Sequence, residues 1–87
     1  MKQTQHVASI FLHNKNSTEM SEFLEGILTP KEILELSQRI EIVKKLKKGE
    51  AQRQIASEVG VGIATVSRGS RELALGKFNQ SWWDDLA

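Results

Sequence analysis

Residues 52–73 read QRQIASEVGVGIATVSRGSREL, and this stretch decides the fold. Ile55, Ala56 and Val59 share one helical stripe; Val66 and Leu73, seven apart, share another. Ala56 is small, as two closely crossing helices need, and Gly60 four residues later suits a left-handed turn. Val61 then plugs the core from the turn, and Val66 faces inward from the second helix. Small residue, glycine, apolar, apolar at this spacing is the pattern of a helix-turn-helix. A plain pair of core helices shares the bare pattern, so the outward positions carry the distinction. Ile63, Ala64, Thr65, Ser67 and Arg68, opened by Gly62, are small, hydroxyl-bearing or cationic, as a surface pressed into a major groove requires. Gln52, Arg53, Arg68 and Arg71 add donors for phosphates.

Working outward, the chain reads as helix nearly throughout. Val7, Ile10 and Phe11 fall at i, i+3, i+4, and Met20, Phe23, Leu24 and Ile27 do the same. Ile33, Leu36, Ile40 and Val43 continue the pattern, with Leu34 and Ile42 on a flanking line. No segment alternates as a half-buried strand does. Asn14-Lys15-Asn16 breaks the first stripe, and Ser17 before Thr18-Glu19-Met20 reads as an N-cap with acid in the first turn. Thr29-Pro30 puts a cap and a proline where the missing N–H costs nothing, and Glu32 completes a capping box. The helix begun there is expected to run to Lys48, with Gly49 as its C-terminal cap and Lys44, Lys45, Lys47 and Lys48 at the negative end of its dipole. Gly76 marks a further break. About six short helices are expected, in one domain. Residues 1–49 supply dimerisation core helices, 50–76 the helix-turn-helix part and 77–87 a C-terminal helix, with Phe78, Trp82, Trp83 and Leu86 on one face packing across a dimer.

Composition bounds the function. Eighty-seven residues leave no room for a catalytic barrel or a doubly wound sheet, and a core this small usually needs a staple or a second subunit. There is no cysteine, which removes disulfides and thiolate zinc sites. His6 and His13 alone cannot complete a metal site, and no metal is expected. No apolar run approaches the ~20 residues of a membrane helix, and Val7 to Leu12 is too short for an export signal, so a cytoplasmic protein without membrane partners is expected. The net charge of +1 hides a division: residues 39–77 hold nine basic and four acidic side chains, a net +5, against −4 for the rest. A solvated lysine face explains such a run in isolation; beside a helix-turn-helix it reads as a phosphate-facing surface. No Ser/His/Asp set, paired acid site or phosphate-cradling glycine loop is present, so an enzyme is not expected.

The region from Leu28 to Ser70 resembles the tryptophan repressor family. The resemblance is carried by Leu28-Thr29-Pro30, Arg39-Ile40-x-Ile42-Val43, Gly49-Glu50, Gln52-Arg53 and above all by the nonamer Gly62-Ile63-Ala64-Thr65-Val66-Ser67-Arg68-Gly69-Ser70. It implies an all-α, intertwined homodimer that binds double-stranded operator DNA, with L-tryptophan as corepressor and no other cofactor. By resemblance, Arg39 and Arg68 sandwich the indole and Arg68 pairs with the ligand carboxylate. Thr29 donates its hydroxyl, the Leu28 backbone holds the amino group, and Gly69 leaves room beside the ring. Arginine suits this work, since its plane stacks on aromatic rings and its fork matches a carboxylate. Without the resemblance, Thr29 reads as a cap, Arg39 as a solvated charge, Arg68 as a phosphate contact and Gly69 as a close helix approach.

Two positions depart from the family pattern. Glu72 stands where the family has a small hydroxyl residue near the ligand's amino group; it either pairs with an ammonium or obstructs the site. The turn between Gly49 and Gln52 is one residue shorter than the family's. The expected function is a sequence-specific, tryptophan-responsive transcriptional repressor. The alternatives are a DNA-binding relative acting without tryptophan or with another small ligand, and a module using the helix-turn-helix for protein contacts.

Overall fold

The computed structural model describes residues 1–86. It is all-helical, with α1 (Lys2–Phe11), α2 (Ser17–Ile27), α3 (Pro30–Lys47), α4 (Gln52–Val59) and α5 (Ile63–Ala74), followed by a short 3-10 helix (Ser81–Asp85). Among the described residues there is no strand. The chain divides into two compact units, residues 1–34 and residues 35 onward.

In the first unit, Phe11 and Phe23 meet edge to face, with ring centroids 5.3 Å apart, and couple α1 to α2. No side chain of either helix is fully buried. Val7, Ile10, Leu12 and Ile27 are exposed, Leu12 to 84%. Asn16, not Ser17, caps α2: its side-chain oxygen accepts the Glu19 N–H at 2.9 Å. Asn16 has the extended backbone a cap requires, whereas Ser17 is already inside the helix. At the start of α3 the capping box forms in both directions. Glu32 N–H donates to Thr29 Oγ1 at 3.1 Å, and Thr29 N–H donates to Glu32 Oε1 at 2.9 Å. These bonds, the backbone donor first, hold the Glu32 carboxyl below its ordinary value.

The second unit is built on the contact between α4 and α5. Ile42 of α3, Ile55 of α4 and Val66 of α5 are completely enclosed, and Leu46, Ala56, Val59 and Val61 pack against them. Enclosing each such side chain contributes roughly 1.5–3 kcal/mol. Gly60 ends α4 at φ +80° and ψ +39°, with open space around its Cα, so backbone conformation alone selects glycine here. α3 stops within a residue of its expected end. Gly49 N–H donates to the Leu46 carbonyl and Glu50 N–H to the Lys45 carbonyl, the paired bonds of a Schellman cap. Lys45 pairs with Glu58 of α4, which raises the lysine and lowers the carboxylate from their ordinary values.

Among the described residues of the C-terminal helix expected over 77–87, no continuous α-helix forms, and Ala87 lies outside the described residues. Gly76 at φ +93° ends α5, and Phe78 at φ +62° turns the chain again. Only Ser81–Asp85 resumes helical geometry, as a 3-10 segment. Phe78 and Trp83 meet edge to face at 5.9 Å, and Trp83 stacks on Trp82 at 4.7 Å. The three aromatic rings thus pack on one another within the chain.

Candidate ligand pocket and DNA interface

α5 presents two adjoining working faces. Along one run Ala64, Thr65, Arg68, Gly69 and Glu72, which recur at helical spacing. With Arg39, Ile42 and Val43 of α3, and with Phe78, they line a pocket of about 440 Å³. That volume lies in the range of small-molecule sites. Ile42 and Val43 give it an apolar floor; Arg39, Arg68 and Glu72 give it charged walls. Among the described residues, neither guanidinium nor the Glu72 carboxylate has an ion-pair or hydrogen-bond partner. An apolar floor beneath two free guanidinium groups and one free carboxylate complements an amphoteric molecule with a flat apolar body.

Four of the six expected ligand residues, Arg39, Arg68, Gly69 and Glu72, therefore share one pocket. Leu28 and Thr29 belong to the first unit, where Leu28 lines a shallow depression with Glu25, Pro30 and Ile33. The Thr29 hydroxyl accepts the Glu32 N–H. Gly69 has a packing role of its own. A Cβ there would stand 3.3 Å from Ile42 Cγ2 and 3.4 Å from Leu46 Cδ1, so glycine brings α5 close to α3. Ile42 and Val43, read from sequence as core, Ala64 and Thr65, read as DNA-facing, and Phe78, read as a dimer-packing residue, line the pocket although none was expected at the ligand. No local pattern marks Phe78; the one signal is Gly76, which stops α5 and redirects the chain behind it.

The expected DNA-contacting residues separate in the structure. Ile63, Ser67 and Arg71 follow one line of α5, while Ala64, Thr65 and Arg68 belong to the stripe that lines the pocket. Gly62, Ile63, Ala64, Thr65, Arg68, Arg71 and, on α4, Arg53 are exposed. Ser67 is half-buried, and its hydroxyl donates to Gln52 Oε1 at 2.8 Å. This pair ties the start of α4 to the middle of α5, so Ser67 orients the second helix. Gln52 keeps its amide N–H donors, since only its oxygen is engaged.

A recognition helix held by a buried three-residue core, with cationic side chains along its exposed face, defines a DNA-binding transcriptional regulator. The sequence comparisons narrow the class. Residues 2–83 match the family described as Trp repressor protein, and the chain belongs to that family. It is 42% identical over 72 residues to a Trp operon repressor homolog of Vibrio vulnificus, covering 82% of this chain and 71% of that protein. It is 40% identical over 70 residues to one from Vibrio parahaemolyticus, covering 79% and 68% respectively. Another, from Vibrio cholerae, is 52% identical over 51 residues, 58% of this chain and 50% of the relative. No solved structure gives a significant match. Among the described residues, no helix is long and apolar enough to cross a membrane.

Proposed function

We propose that this repressor answers to L-tryptophan and binds its operator as a homodimer. The observation that carries the reading is that Arg39 and Arg68 line one apolar-floored pocket, directly against the exposed face of α5. The indole seats over Ile42 and Val43 between the two guanidinium planes, and Arg68 receives the carboxylate. Because Ala64, Thr65 and Arg68 belong both to the pocket wall and to the candidate DNA set, a ligand there bears on the tilt of the recognition helix. Tryptophan then acts by population shift, binding the DNA-competent tilt more tightly than the others. Two recognition helices are set about one DNA turn apart, ~34 Å, a docking for which Trp repressors are themselves an established case.

The dimer is supported by the small enclosed core and by the exposed apolar side chains of α1, α2 and α3, Leu34, Leu36 and Ile40 included. The test is to select binding sites from a random DNA pool and measure affinity by gel shift with and without L-tryptophan. The expected result is tighter binding with tryptophan, and weaker ligand and DNA binding together in R68A. Equal affinity with and without tryptophan leaves a DNA-binding relative that does not respond to it; full operator binding by R68A removes the coupling between the two sites.

A further inference from the structure

We infer that the segment after α5 is a working wall of the ligand pocket, with Phe78 as a further ligand-contacting residue and Lys47 as the group that positions it. The inference rests on the tryptophan-responsive reading above. Three independent observations point to it. Phe78 lines the same pocket as Arg39, Arg68 and Glu72, although it lies outside both helices that carry them. Its backbone sits at φ +62°, a left-handed conformation that a bulky residue adopts only where the surroundings impose it. The imposing contact is visible: Lys47 Nζ, on the last turn of α3, donates to the Phe78 carbonyl at 2.8 Å. The Phe78 ring meets Trp83 edge to face at 5.9 Å, and Trp83 is stacked on Trp82 and donates its indole N–H to Gln80 Oε1 at 2.9 Å.

The chain therefore leaves α5 at Gly76, is caught by a lysine of α3 and presents an aromatic face to the space between α3 and α5. Floor and wall together offer a flat apolar ligand contact from two directions. This makes the tail a part of the ligand site and gives Trp82 and Trp83 a purpose within one chain, as the stacked pair that meets Phe78.

The test is calorimetric titration of L-tryptophan into the full chain and into F78A, F78L, K47M and K47R, with far-ultraviolet circular dichroism to establish that each is folded. F78A should weaken binding roughly tenfold, and F78L, which keeps an apolar wall, by less. K47M should weaken it several-fold while K47R, which keeps a cationic donor, restores it; a lysine that served only general stability would show no such dependence on the donor. K47M leaves the ring itself intact and so decides the matter if F78A loses its helices. Unchanged affinity in F78A and K47M beside a tryptophan-binding parent overturns the pocket wall and leaves the tryptophan reading intact. A parent chain that binds no tryptophan overturns both.

Discussion

At the scale of single residues, Glu72 is the side chain that sets this pocket apart. It lies one helical turn beyond Arg68 on the same wall, with no partner of its own among the described residues. A carboxylate there and a guanidinium one turn away match the ammonium and carboxylate of an amino acid. A ligand lacking the ammonium leaves Glu72 beside an apolar body with its water displaced, and an unpaired charge in that position is costly. Indole-3-propionate, which keeps the ring and the carboxylate, should therefore bind at least about tenfold more weakly than L-tryptophan. E72S should narrow that gap chiefly by improving the propionate. Competition calorimetry measures both, and equal affinity of the two ligands for the parent chain would show that Glu72 obstructs or ignores the amino group. Arg39, Arg68 and Gly69 were joined in the sequence only by the family resemblance, since each by itself reads as a solvated charge, a phosphate contact or a close helix approach; the fold brings them and Glu72 to one pocket. Phe78 was not legible, because its place depends on a left-handed turn and a bond from Lys47, thirty-one residues earlier in the chain.

At the scale of elements, local chemistry decided the boundaries wherever a cap residue had one use. Thr29-Pro30 and Glu32 built the box their spacing called for, and Gly60 took the left-handed turn. Asn16 displaced Ser17 because both are good caps and only the fold chooses which of two neighbours stays extended. The tail failed as a helix for a different reason: the spacing of Phe78, Trp82, Trp83 and Leu86 fits a helical face, but contacts with α3 and among the rings hold the first of these off the helical path. The capping box of α3 carries a pH dependence. Glu32 ionises below its ordinary value of 4.5 in the folded chain, so its carboxylate favours folding above that pH. The contribution fades as pH falls through the lowered folded value, where the protonated carboxyl no longer accepts the Thr29 N–H as strongly. E32Q lacks this ionisation. Thermal midpoints measured between pH 7 and pH 3 should therefore fall less in E32Q than in the parent, and parallel curves would mean that the box carries no acid-side stability.

At the scale of the whole molecule, charge and apolar surface call for the same arrangement. The stretch 39–77 carries net +5 and the remainder −4, so the cationic excess is concentrated in the part of the chain that holds α4 and α5. Only Ile42, Val43, Ile55 and Val66 are buried hydrophobics among the described residues, and all four lie in the second unit. Leu34, Leu36 and Ile40, on the long helix, are between 40% and 57% exposed, which is poor use of large apolar side chains in a single protomer. In the proposed homodimer a second copy covers them, and stability then rises with protein concentration. DNA binding exposes the same stoichiometry. Each phosphate neutralised steepens the fall of log K with log salt by about 0.9, so two protomers on one operator should show about twice the slope of one. I40E places a charge in the shared apolar surface and should yield monomers by sedimentation velocity, together with a salt slope near half that of the parent in gel shifts. A monomeric I40E that keeps the full slope would mean that one protomer makes all the phosphate contacts, and the paired recognition helices would have to be abandoned.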